Sequence, residues 1–165
     1  MTEEPQTTDQ TTDQTAQHEP ETASAEAGQE SDHGKSRSTG DPEQTRSFAV
    51  ECARILKDDK CEHIVVLDVR GRSQVTDYVV VGSGTSDRQM NAAIGDAVEL
   101  GQSLGYSAAR TNKDDRSTWL LADFVDVVVH LFEPNTRAYY DIEMLWGDAP
   151  RVEWQRAEDS ASAKN

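Results

Sequence analysis

The first 44 residues carry a single large apolar side chain, Met1, so any folded core must be drawn from the rest of the 165-residue chain. Residues 1–44 are almost pure Thr, Gln, Glu, Asp, Ser, Ala and Gly, with 11 acids against 2 bases. Such a segment has too little apolar surface to offset the entropy lost on ordering, and it is expected to be a disordered acidic tail. It has neither the apolar stretch of a secretory peptide nor the Arg-rich, acid-poor character of a transit peptide. Beyond Pro150 the sequence turns polar again, and residues 151–165 are expected to fray as a second tail. Residues 45–150 remain, enough for one ordinary domain.

Hydrophobic periodicity organises that span. Phe48, Val50, Cys52, Ile55 and Leu56 mark a partly amphipathic helix over residues 44–57, ended by Asp58, Asp59 and Lys60. The β-branched runs IVVLDV at 64–69 and YVVV at 78–81 read as strands, antiparallel across a turn at 71–73. Residues 87–104 bring Met90, Ile94, Ala97, Val98 and Leu104 near one helical face, and Gly105 terminates that helix. Gly95 and Gly101 each cost it about 1 kcal/mol relative to Ala. Close packing is the expected reason for them.

A short strand at 107–110 and a polar loop at 111–117 come next. A hairpin of 119–122 and 127–132 follows, turning at 123–126. Pro134 opens a last helix, with Tyr139, Ile142 and Leu145 at helical spacing. The order α-β-β-α-β-β-β-α predicts an α/β fold: a mixed sheet of about five strands packed with helices.

Residues 76–88, TDYVVVGSGTSDR, run from a strand through a small-residue turn into a helix start, where backbone amides can meet a phosphate. Gly82 and Gly84 are expected to supply positive φ in the turn, and Ser86 with Gln89 fits a capping box. Asp87 suits the helix dipole but would repel an anion at the same place. A structural turn is therefore the favoured reading. Gly82-Ser83 in this element order resembles the nucleotidyltransferase superfamily, where a Gly-Ser loop precedes paired acids that hold magnesium. Here the pair is missing: Asp87 stands alone, and Asp123 and Asp126 would diverge in a hairpin turn. Neither catalysis nor a cofactor is expected.

Cys52, Cys61 and His63 form C-x8-C-x-H, which is not a zinc spacing, and they read as two reduced thiols beside a histidine. His130 lies on a strand whose alternation puts Val128, His130 and Phe132 on one face, with no nucleophile assigned beside it. It reads as an interface or structural residue. Trp119 opens a strand after a polar loop, either as a binding anchor at the rim of the sheet or as a residue closing the core. Tyr139, Tyr140 and Trp146, at helical spacing, fit a core more readily than a contact surface.

The net charge of −15 narrows the partners. Arg70, Arg72, Arg88, Arg110, Lys113 and Arg116 are interspersed with Asp77, Asp87, Asp114 and Asp115, which leaves no basic stripe for phosphates. Direct sequence-specific nucleic-acid binding is not expected; a basic protein partner suits the charge better. No apolar run approaches the roughly 20 residues needed to span a bilayer. A soluble cytoplasmic protein without membrane contact is expected.

Five segments together carry a more specific signal: FAVECARIL from Phe48, IVVLDV from Ile64, TDYVVVGSGTSDRQ from Thr76, STWLLADFVDVVVHLF from Ser117 and RAYYDIEMLWGDAP from Arg137. In order and spacing, over roughly residues 45–150, they resemble the ribosomal silencing factor S family, also called the Iojap-related family. That resemblance implies a non-enzymatic protein that docks on the large ribosomal subunit through the universal large-subunit protein number fourteen. Bound there, it would block small-subunit joining and repress translation under nutrient limitation. A homodimer is also implied. The resemblance puts the contact on the face built around Trp119 and His130, which antiparallel pairing brings to one sheet margin. Asp123, Asp126 and Tyr140 are the further contact candidates. A large-subunit assembly factor would share the contact with different timing; a nucleotidyl or phosphoryl transferase fits less well.

Overall fold

The computed structural model describes residues 40–112 and 118–162. The expected acidic tail therefore lies, up to residue 39, outside the described residues, as does the 113–117 part of the polar loop. Helix α1 (Pro42–Asp58) starts two residues before the expected boundary. Asp41 caps it through a 3.0 Å bond from the Glu43 amide, and Pro42 supplies a φ already suited to the first turn.

Strands β1 (Glu62–Asp68) and β2 (Tyr78–Ser83) pair antiparallel, with Val66 opposite Val80. Helix α2 (Asp87–Ser103) follows, then β3 (Arg110–Asn112), β4 (Trp119–Asp123) and β5 (Val127–Phe132). The five strands lie in the order β1-β2-β5-β4-β3, with β2 and β5 parallel and every other pair antiparallel. This is the mixed α/β sheet that the sequence order predicts.

Alternation along each strand divides the apolar residues between two faces. On one, α1 and α2 cover Val66, Val80, Leu120, Val129 and Leu131, and Phe48 stacks on Tyr106 at 4.2 Å and meets Phe124 edge-on at 4.9 Å. The other carries Leu67, Val79, Val81 and Phe132, packed among the described residues against Ile142, Ala149 and the half-buried Trp119 and Trp146.

The glycines of the turn work differently from the expectation. Neither Gly82 nor Gly84 has positive φ; Gly71 (74°) and Gly105 (85°) do. Gly82 lies inside β2, where an added Cβ would sit 3.1 Å from Leu56 Cδ1 and 3.3 Å from Leu131 Cδ1, and a Cβ on Gly84 would collide with the Met90 side chain. Both are small because neighbours press on them. Ser86 caps α2 as expected, its Oγ accepting from the Gln89 amide at 3.3 Å. The return bond of Gln89 lands one residue early, on the Thr85 amide at 2.8 Å, and its Nε2 donates to the Asp59 carbonyl at 2.9 Å.

Gly101 has the packing reason anticipated for it: a Cβ there would lie 2.6 Å from Phe124 Cε1 and 3.0 Å from the Tyr106 carbonyl oxygen. Gly101→Ala is accordingly expected to destabilise by about 1–2 kcal/mol, overpacking outweighing the gain in helix propensity. Urea unfolding measures it, and a variant as stable as the parent would contradict this account.

Two expectations near the C-terminus fail. The single last helix is instead two, α3 (Pro134–Tyr140) and α4 (Ile142–Leu145), broken at Asp141 with φ 40° and ψ 51°. The break turns Tyr139 (82% exposed), Tyr140 (51%) and Leu145 (75%) outward and leaves Ile142 buried. Nor does the chain fray at Pro150. The Val152 amide donates to the Val66 carbonyl, Arg151 bridges Leu67 at the β1 edge, and Val152 and Trp154 are buried in the helix-covered core. Arg54 Nε holds the Trp154 carbonyl at 2.9 Å, Arg156 grips both Asp58 oxygens, and helix α5 (Ala157–Ser162) follows.

Candidate partner-binding site

Strands β4 and β5 place Trp119 opposite Phe132, Leu121 opposite His130 and Asp123 opposite Val128, all on the sparsely covered face. Their neighbours Leu120, Ala122, Val127, Val129 and Leu131 point into the helix-covered core. Trp119 organises the open face. Its ring lies 5.1 Å from that of Phe132, 5.8 Å from His130 and 5.0 Å from Tyr140, and Tyr139 meets Tyr140 edge-on at 5.1 Å. The indole Nε1 donates to His130 Nδ1 at 3.2 Å. Trp119 thus closes the smaller core against Phe132 while staying half-buried beside Tyr140.

His130 is pushed down to about 4 by its burial, with the Asp123 carboxylate pulling weakly the other way. It is neutral near pH 7. Its unfolded counterpart, near 6.5, takes up a proton first as pH falls. The stability due to the neutral ring is therefore complete above about pH 6.5. It is lost between there and pH 4, at a slope approaching roughly 1.4 kcal/mol per pH unit. His130→Asn is expected to flatten that part of the curve in urea unfolding series, leaving the carboxylate-driven loss at lower pH.

The sequence candidates separate on this surface. Trp119, His130 and Tyr140 come together. Asp123 shares their face but is committed to the turn, its Oδ1 accepting from the Val125 amide at 2.8 Å while Val125 holds φ 74°. Asp126 is not brought to the cluster: it is buried at the opposite end of β5, its carbonyl accepting from the Asp77 and Tyr78 amides. Leu121 and Tyr139 were missed as parts of this face, and Phe132, placed beside His130 by strand alternation, was not named as a contact. Phe132 and Leu121 follow from the hairpin register once Trp119 is placed; Tyr139 depends on the break at Asp141.

An open cleft of about 580 Å³ at the end of β2 is lined by His63, Ser83, Arg137, Asp141, Glu143 and Arg151 among others. It brings to Ser83 the Asp-x-Glu pair Asp141 and Glu143, distant in sequence from the Gly-Ser turn. Arg137 occupies these groups: Nε and a terminal nitrogen bond both Glu143 oxygens at 2.9 and 2.8 Å, and the other terminal nitrogen bonds Ser83 Oγ at 2.9 Å. The same bonds hold the Glu143 carboxyl below its usual range. The polar groups beside Ser83 in this cleft thus meet a guanidinium. Among the described residues no three His, Cys, Asp or Glu side chains gather as a metal site. Cys52 and Cys61 are buried free thiols, Cys61 pushed up to about 12 by burial. No described helix is long and apolar enough to cross a membrane.

Fold and face together define a mixed α/β module with a partly exposed aromatic cluster on one side of its sheet. Residues 42–165 match the family described as ribosomal silencing factor during starvation, and the chain belongs to that family. It is 39% identical over 105 residues to the ribosomal silencing factor RsfS of Bacillus subtilis, covering 64% of this chain and 89% of that one. It is also 34% identical over 95 residues to the mouse mitochondrial assembly of ribosomal large subunit protein 1, covering 56% of this chain and 42% of that one. A crystal structure of a Chromobacterium violaceum protein superposes with a TM-score of 0.59 at 28% identity, covering 72% of this chain and 95% of the other.

Proposed function

We propose that this chain binds the large ribosomal subunit through the Trp119–His130–Tyr140 face and keeps the small subunit from joining, repressing translation under nutrient limitation. Its partner there is the universal large-subunit protein number fourteen. The observation that carries the reading is the aromatic cluster itself, which runs from the half-buried Trp119 on the sheet out to the exposed Tyr140 and Tyr139. A ring cluster already stacked and hydrogen-bonded loses little freedom on docking, which is what an interface anchor needs. The net charge of −15 suits a basic ribosomal protein and speeds its encounter.

The proposed role is non-enzymatic, and the bonds of Arg137 to Ser83 and Glu143 support it by engaging two of the polar groups in the cleft. Homodimerisation, implied by the family, belongs to the same proposal and is measured by light scattering. The direct test is a pull-down from starved cells with the full chain as bait. Large subunits should arrive without small ones; joined ribosomes in the eluate would sink the proposal. A second reading, assembly of the large subunit, is favoured by the name of the mouse relative and predicts association with immature particles instead. A melting temperature raised by nucleotide plus magnesium would support a transferase.

A further inference from the structure

We infer that the neutral ring of His130 carries its proton on Nε2, and that this N–H is the hydrogen-bond donor which the face presents to an oxygen acceptor, carbonyl or carboxylate, on its partner. The inference rests on the docking face proposed above and assigns a role within it. Trp119 Nε1–H can only donate, so the 3.2 Å contact makes His130 Nδ1 the acceptor and gives that nitrogen a lone pair. A neutral imidazole then has its single proton on the other nitrogen. Nε2 makes no hydrogen bond among the described residues. Burial holds the ring neutral, consistent with a doubly protonated ring having to turn an N–H toward the indole N–H.

The register leaves that donor without a partner on the flanking strands. His130 is opposite Leu121 on β4 and Val81 on β2, both apolar, so neither flanking strand offers a side-chain acceptor at that level. The two aromatic groups thereby divide the work. Trp119 spends its only N–H inside the protein and contributes ring area, whereas His130 contributes direction. Trp119 fixes the tautomer, and the tautomer fixes which polar group the partner must bring.

Asn and Gln separate the two nitrogens, because an Asn amide overlays Nδ1 and a Gln amide overlays Nε2. His130→Asn keeps an acceptor for Trp119 and removes the outward donor; its affinity for purified large subunits is expected to fall roughly tenfold. His130→Gln keeps the outward donor and is expected to remain within about threefold of the parent. Long-range proton–nitrogen spectra of the full chain with labelled histidine, assigned by loss of signals in His130→Asn, should show the Nε2–H form. An Nδ1–H pattern overturns the inference, as does His130→Asn binding like the parent while Trp119→Ala does not. If Trp119→Ala also binds unchanged, the docking face itself is wrong, and the spectra then report on the tautomer alone.

Discussion

Trp119→Ala is expected to weaken binding to large ribosomal subunits at least thirtyfold, about 2 kcal/mol or more. The effect is large because the indole supports every other member of the patch. Removing it deprives Phe132 and Tyr140 of ring contacts and leaves His130 Nδ1 without its donor. It also opens space over the smaller apolar cluster of Leu67, Val79, Val81 and Phe132. Some stability is therefore lost as well, about 1–2 kcal/mol for a half-buried ring. The two effects must be measured on the same preparation. If affinity falls only in proportion to the unfolded fraction, Trp119 is a packing residue; if the folded variant binds unchanged, the interface lies elsewhere. Trp119→Phe should recover much of the stacking while still lacking the indole N–H, and it is expected to fall between the two.

The parts of this arrangement that follow from local rules were readable in the sequence. Strict alternation at residues 127–132 predicts which side chains share a face, and burial of Val127, Val129 and Leu131 in the helix-covered core matches it. The hairpin fixes register, so Trp119 and His130 had to meet. Ser86 announces the start of α2 by its chemistry. What was not readable depends on groups remote in sequence. Tyr139, Ile142 and Leu145 keep helical spacing straight through Asp141, yet the helix breaks there. Arg137, one turn before the break, is anchored on Ser83 of β2, and Glu143 beyond it closes on the same guanidinium. Spacing alone carries no trace of that three-way clasp. The break is nonetheless what exposes Tyr140 beside Trp119. Asp126 lies apart from the ring cluster, and its place was hidden for a related reason: its carbonyl serves the start of β2, a parallel neighbour joined by no local turn.

Trp154→Ala is expected to lower stability by about 3–5 kcal/mol, as for other buried tryptophans. Reading residues 151–165 as a polar tail predicts no change, so the experiment separates the two accounts sharply. Trp154 lies in the same cluster as Phe48, Leu56 and Val66, and it gets there because Val152 pairs its amide with the Val66 carbonyl along the outer side of β1. Those backbone bonds cover part of a strand edge that would otherwise be available to other chains. Arg54 then fixes the Trp154 carbonyl from α1, so the segment is held by strand and helix together. Arg156→Ala should matter little by comparison, since its pair with Asp58 is largely exposed to solvent. Both variants are compared by urea unfolding. A Trp154→Ala protein with the parent's midpoint would show that residues 151–156 rest on the domain without supporting it. A large loss, with ribosome binding retained by the folded fraction, would assign the segment to the core and leave the opposite sheet face to the partner.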